Sequence, residues 1–218
     1  MQPVLRLYED VLANDTAMSL PARPRLIFVA HGSIAIAARV LRDDEAFGGE
    51  CVAHVKAGRG GATIWRWELM ADDGSGAANG AGIVSREKLS ARLDTLPKGE
   101  LLLRGDSVAF PPGGCAYLHR QQGPGIRCLT EGGLRIDAGD RSTSYAPGGA
   151  WYESGPEPVF AQAADRPTRF IRVMLLPRSY LGKSSVEYLR EEDKAKPKTQ
   201  TYKIYADMPI AFAAASEG

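Results

Sequence analysis

The chain has 218 residues, enough for one large β-domain or two small domains sharing a core, with 27 Lys plus Arg against 26 Asp plus Glu. A formal net charge of +1 leaves no global field to hold a nucleic acid or an anionic membrane surface. No window approaches the roughly 18 uncharged apolar residues of a membrane-spanning helix, and MQPVLRLYEDVLANDTAMSL at the N-terminus lacks the apolar core of a signal peptide.

The 24 glycines and 14 prolines punctuate short apolar runs, the pattern of strands joined by tight turns. In chain order the predicted strands are Leu26–Ala30, Ile34–Val40, Cys51–Val55, Thr63–Met70, Glu100–Phe110, Ile126–Thr130, Leu134–Ile136, Val159–Ala161 and Arg169–Leu176. Between the fourth and fifth, DDGSGAANGAG over 72–82 lacks bulky side chains and reads as a flexible loop at the boundary between two halves. One helix follows: Ser85 as cap, Glu87 in the first turn, Leu89, Leu93 and Leu96 on one face, and Pro97 as its stop. The mixed charge run from Arg190 to Lys198 reads as a solvated, mobile link. The apolar side chains of QTYKIYADMPIAF, including Tyr202, Ile204 and Met208–Phe212, would then cover the protein's own barrel or a neighbouring subunit.

Residues 26–36, LIFVAHGSIAI, lie over residues 126–136, IRCLTEGGLRI, with Gly32 opposite Gly132. EAFGGECVAHV lies over GAWYESGPEPV, with Ala46 opposite Ala150 and Val55 opposite Val159. ATIWRWELM lies over TRFIRVMLL, placing Arg66 opposite Arg172. Preserved order with small gaps implies a duplicated β-unit, which suits a double-sheet jelly roll that pairs its strand edges. The organisation expected is an N-terminal repeat over 1–75, a loop and short helix over 76–99, a C-terminal repeat with the candidate cavity over 100–180, and a charged link with a packing segment over 181–218.

The three cysteines, Cys51, Cys115 and Cys128, form no CxxC pair, and their odd number fits free thiols in a reducing, cytoplasmic compartment.

Gly113 is followed by five residues and then His119-Arg120-Gln121, and CLTEG leads on to Gly132. Further along stands Pro147-Gly148-Gly149-Ala150-Trp151-Tyr152. With these two motifs Phe110–Leu176 resembles the conserved half of the cupin superfamily, which carries His-x-His at the first and Pro-x-Gly-x-x-His at the second. The resemblance implies an all-β fold, the double-stranded β-helix or cupin jelly roll, and a homodimer. It also implies a site for a divalent metal (Fe, Mn, Ni or Zn) held by three His and one Glu. Position by position, this chain offers His119, Gln121 for the second His, Gly125 for the Glu and Tyr152 for the last His. His119 and Gln121 are therefore the metal-ligand candidates, in a degenerate set.

Alternation sends Arg127 to the same face as position 125. Two readings stand there: a guanidinium fork for a ligand carboxylate or phosphate, replacing the metal as cationic anchor, or a structural Arg paired with Glu131, Glu153 or another acid. Gln121 and Glu153 join Arg127 as ligand-binding candidates, while Glu153 and Glu157 can equally be solvated turn residues. His119 and Tyr152 are the catalytic candidates, as a proton-transfer pair. Cys128, one step from Arg127, points away from the cavity as a small buried residue. His31 and His54 have no partner at ligand spacing. Trp65 and Trp67 share one strand face, either as core or as a stacking platform.

Three functions remain open: a binding protein for an anionic small molecule, a metal-dependent cupin enzyme (dioxygenase, lyase or isomerase) using His119, and a metal-free isomerase or epimerase using His119 and Tyr152.

Overall fold

A computed structural model of the chain describes residues 2–71, 74–94 and 96–212. The described residues of Met1–Asp94 and Ile210–Gly218 form one compact unit, and those of Thr95–Pro209 form a second.

The first unit contains β1 (Val4–Leu12), β2 (Ala17–Leu20), β3 (Arg25–Ile36), β4 (Arg39–Arg42), β5 (Ala46–Gly49), β6 (Ala53–Met70) and β7 (Ile83–Arg92). These strands pair in the order β4-β3-β6-β1-β7, with β2 added to β6 and β5 to β3. The 18-residue β6 joins two stretches expected as separate strands, and its second half is buried on both faces. β6 is a central strand of its sheet, with Trp67 paired to Leu7 of β1 on one side and to Leu26 of β3 on the other. Trp65 and Trp67 stand edge to face with centroids 6.3 Å apart, as core residues. Arg66, between them, is fully buried on the opposite face and grips Asp10 through Nε at 2.7 Å and Nη2 at 3.2 Å.

Ile34–Val40, expected as one strand, turns at Ala37-Ala38. Both residues have positive φ, 48° and 59°, and they connect Ile36 to its partner Arg39. A two-residue hairpin loop of this hand is ordinarily Asn-Gly, so the Ala-Ala sequence conceals it.

The expected helix over 85–97 is instead β7, paired antiparallel along the whole of β1. Leu89, Ala91 and Leu93 are at least partly buried and alternate at period two. A spacing of four, as between Leu89 and Leu93, satisfies a strand as well as a helix, and a bulge opposite Leu7 and Tyr8 breaks the alternation upstream. The stretch expected as a linker thus supplies an edge strand to the first sheet. Asp72, Asp73 and Thr95, within the loop and helix expectations, lie outside the described residues. The described part of the glycine-rich loop is pinned: Gly76 donates to the Tyr8 hydroxyl at 2.9 Å and accepts from Arg66 Nη2 at 3.0 Å.

The second unit contains β8 (Leu101–Phe110), β9 (Cys115–Gln121), β10 (Gly125–Glu131), β11 (Leu134–Ala138), β12 (Arg141–Tyr145), β13 (Ala150–Glu153), β14 (Val159–Ala163), β15 (Thr168–Pro177), β16 (Val186–Tyr188) and β17 (Thr201–Ile210). They build two five-stranded sheets, β13-β10-β15-β8-β17 and β12-β11-β14-β9-β16. Val108, Phe110, Leu129, Leu134, Trp151 and Phe170 lead the core of this unit. Each such side chain taken from water contributes roughly 1.5–3 kcal/mol. The charged run forms the short helix α1 (Glu191–Ala195), and the segment after it closes the unit's own sheet as β17. Arg104 anchors β17 through two hydrogen bonds of 2.9 Å to Asp207.

The duplication is visible in the geometry. Gly32 and Gly132 have φ of +89° and +82°, and a side chain at either would overlap a backbone oxygen, of Gly61 or Pro167.

Candidate functional site

The interior of the second unit narrows to a cavity of about 20 Å³ whose polar lining is His119, Gln121, Arg127, Glu153, Arg172, Gln200 and Tyr202. That is room for about one water molecule. A bulge aims the first of these residues. His119 pairs with Val159 and Ala116 with Ala161, so two β9 residues, Tyr117 and Leu118, face the single Phe160. Simple alternation from the buried Ala116 would turn Leu118 inward; the extra residue turns His119 and Gln121 inward instead.

His119 Nδ1 lies 2.7 Å from the Tyr117 carbonyl oxygen. A carbonyl only accepts, so Nδ1 carries the proton and Nε2 of the neutral ring keeps its lone pair. Burial pushes the imidazole below its usual range; Glu153 and the Tyr117 carbonyl oppose that shift, while Arg172 and Arg127 add to it.

On β10, Arg127 and Leu129 face inward, and Cys128 is fully buried on the other side with Sγ 3.6 Å from the Gly148 oxygen. Arg127 is 1% exposed. Its Nη1 donates to the Gly125 carbonyl at 2.6 Å. Its Nη2 lies 2.8 Å from Glu153 Oε2 yet makes no hydrogen bond of acceptable direction. The two facts together describe a charge contact whose N–H donors point elsewhere. Glu131, the other acid considered for Arg127, pairs with Arg169 instead.

Glu153 reaches the cavity from β13, where Trp151 donates from Nε1 to its Oε1 at 2.9 Å. Trp151 belongs to the core and Glu153 to the cavity, so Tyr152 between them faces the other way. Tyr152 lines an outer cleft, together with Glu153, and is not among the residues that line the interior cavity beside His119. The cleft, about 460 Å³, shares Ile136, Glu153 and Val159 with the interior cavity and also carries Asp140, Arg141 and Glu157.

Arg172, Asp106 and Gln200 complete the polar interior and were not legible as site residues. Arg172 donates from Nε and Nη2 to Asp106, at 2.7 and 2.9 Å. Gln121 is satisfied with its amide oxygen accepting from Arg172 Nη1 at 3.1 Å and its nitrogen donating to the Ser185 oxygens. Gln200 donates to the Tyr188 hydroxyl at 2.8 Å, and its buried Oε1 has no hydrogen-bond partner among the described residues. The alignment of Arg172 with Arg66 was the available signal, because two inward arginines at one repeat position each demand a buried acid.

The first unit lacks this arrangement. In the duplication Ile27 stands for Arg127 and Gly49 for Glu153, and Ile27 is fully buried core. His31 is exposed, 3.8 Å from Asp43, and His54 Nδ1 lies 2.9 Å from Ser19 Oγ.

No family model matches the sequence, and no curated protein matches it. Solved structures do. The oxalate decarboxylase of Lactobacillus farciminis in its formate complex matches with a TM-score of 0.65 and 11% identity, over 88% of this chain and 82% of that one. An oxalate decarboxylase of Bacillus subtilis, described for its Mn(II) centres, matches with a TM-score of 0.57 and 12% identity, over 91% of this chain and 81% of that one. AerE from Microcystis aeruginosa matches with a TM-score of 0.57 and 13% identity, over 81% and 89%. At these identities the likeness shows the fold: the chain is an internally duplicated, antiparallel β-protein with the cupin jelly roll. No helix among the described residues is long and apolar enough to cross a membrane.

A divalent metal, which the fold implies, does not fit the donors of this site. Gln121 spends its oxygen on Arg172, and two guanidinium groups face the cavity. A side chain at Gly125 would overlap the Val173 carbonyl oxygen, so the strand excludes a carboxylate ligand there. Among the described residues no three His, Cys, Asp or Glu side chains cluster as a metal site. The ligand role expected of His119 and Gln121 thus lacks its partners.

Proposed function

We propose that the second unit binds a small organic carboxylate that also carries a hydrogen-bond donor, such as a hydroxy acid. One observation carries this reading: the same cavity holds a buried guanidinium N–H group that touches Glu153 without a directed hydrogen bond, Arg127 Nη2, and a buried acceptor with no donor among the described residues, Gln200 Oε1. Leaving either group unpaired costs about 1–3 kcal/mol, more for the charged one. A carboxylate answers the first and a hydroxyl the second, with His119 Nε2 as a further acceptor. Tyr152, facing away from His119, lends no support to acid–base catalysis by that pair.

The test is calorimetric titration with lactate and with propionate, which differ by one hydroxyl. Lactate is expected to bind about tenfold more tightly, equivalent to roughly 1.4 kcal/mol. Arg127→Met is expected to abolish binding of both. Equal affinities would remove the hydroxyl from the reading, and an absence of binding by the wild type would remove the reading itself. The expected homodimer would use the exposed Tyr202 and Ile204 on the edge strand β17, and sedimentation equilibrium measures it.

A further inference from the structure

We infer that Glu153 holds the seat of the ligand's carboxylate, and that a ligand enters by exchanging with it; this rests on the carboxylate-binding reading above. Three features lead there. Arg127 is buried beyond the reach of bulk solvent, and Glu153 is the acid lying against its Nη2. The contact is poorly made, 2.8 Å long without a directed hydrogen bond, whereas Arg172 and Asp106 nearby achieve a two-point grip. The forked pairing is the stronger geometry for a guanidinium and a carboxylate, and Arg127 and Glu153 do not adopt it. Finally, the interior cavity of about 20 Å³ admits no organic acid, while the adjoining cleft of about 460 Å³ has the size of a small-molecule site.

Glu153 lies where the two spaces meet. Rotation of its side chain into the cleft would free Arg127 Nη2 and join the two volumes. An incoming carboxylate then restores the charge balance, since Arg127 and Arg172 would face the ligand and Asp106 as they now face Glu153 and Asp106. The ligand's body would remain in the cleft, so acids larger than lactate are accommodated there. Exchange also sets specificity: a neutral analogue cannot replace Glu153 without leaving Arg127 buried and unpaired. The first unit, with Ile27 and Gly49 at the two positions, has neither the seat nor its occupant.

The experiment compares lactate binding by the wild type, Glu153→Gln and Arg127→Met. Removing the internal competitor is expected to tighten binding at least tenfold in Glu153→Gln, with Arg127→Met silent. Unchanged or weaker binding by a folded Glu153→Gln, with Arg127→Met still silent, would overturn the exchange and leave the carboxylate reading standing. Failure of both wild type and Glu153→Gln to bind would overturn both. A second measurement needs no variant: carbodiimide labelling of Glu153 in the wild type, read by mass spectrometry, is expected to rise several-fold when lactate saturates the protein. Labelling that stays flat at saturation contradicts the exchange.

Discussion

Arg172 and Asp106 face each other across β15 and β8 and are joined by two parallel hydrogen bonds, of 2.7 and 2.9 Å, within the barrel of the second unit. In the first unit Arg66 grips Asp10, but its register partner on β1 is Tyr8, whose ring lies 4.5 Å below the guanidinium. The duplication has therefore kept the inward arginine and moved the acid by two residues along the strand. Asp106→Ala leaves Arg172 charged and buried without its partner, and should cost about 3–5 kcal/mol. The double replacement Asp106→Leu with Arg172→Met should lie within about 2 kcal/mol of wild type, the remainder reflecting the Gln121 oxygen left unpaired. Urea unfolding followed by Trp151 emission measures both, because Trp151 is the only tryptophan of the second unit.

The parts of this architecture that sequence revealed are those that repeat or alternate. Gly32 and Gly132 could be matched because a positive φ at a crowded turn admits almost nothing else, and the inward direction of Arg127 followed from the period of two. What stayed hidden depended on a neighbour distant in sequence. The inward aim of His119 rests on a bulge against β14, which no local pattern announces. Tyr152 was matched to a motif by counting, yet the barrel takes Trp151 and Glu153 inward and leaves it outside. Leu89 and Leu93 fit a helix until β1 is present to pair with them. Gln200 opens QTYKIYADMPIAF, a segment read only for its apolar side chains as a cover, so its polar group gave no sign of facing the cavity.

Rebuilding a metal site by substitution should fail for a steric reason. In Gly125→Glu the new Cβ meets the Val173 carbonyl oxygen and crowds Met174, both fixed by strand pairing. This variant should be destabilised by more than about 2 kcal/mol, and Gln121→His with Gly125→Glu should take up no stoichiometric manganese or iron. A thermal melt and plasma mass spectrometry of the purified variants check the two statements. A folded, metal-loaded double variant would show that β10 can move away from β15.

The three thiols should separate by reactivity. Cys51 is exposed, Cys115 half-buried, and Cys128 fully buried beneath the Pro147-Gly148 turn. Ellman's reagent should titrate Cys51 rapidly and Cys115 more slowly, with Cys128 reacting only on unfolding of the second unit. Cys128 labelling in denaturant then follows local opening of β10, the strand that carries Arg127. If Cys128 reacts as fast as Cys51 in native protein, β10 is not closed over its outer face.

His119 makes stability depend on pH in a calculable direction. Its imidazole titrates below the usual 6.5, chiefly because burial disfavours the charged ring. Between the lowered folded value and 6.5 the unfolded chain binds the proton and the folded protein does not, so stability falls as pH drops through this window. Below the folded value both states are protonated and the loss levels off. Each unit of lowering corresponds to about 1.4 kcal/mol. His119→Asn can still donate toward the Tyr117 carbonyl but does not titrate, so the fall in unfolding free energy from pH 7 to pH 5 should be shallower than in wild type. Parallel curves for the two proteins would mean that His119 is hydrated in the folded state and that its Nε2 is not held in the closed cavity with Arg127.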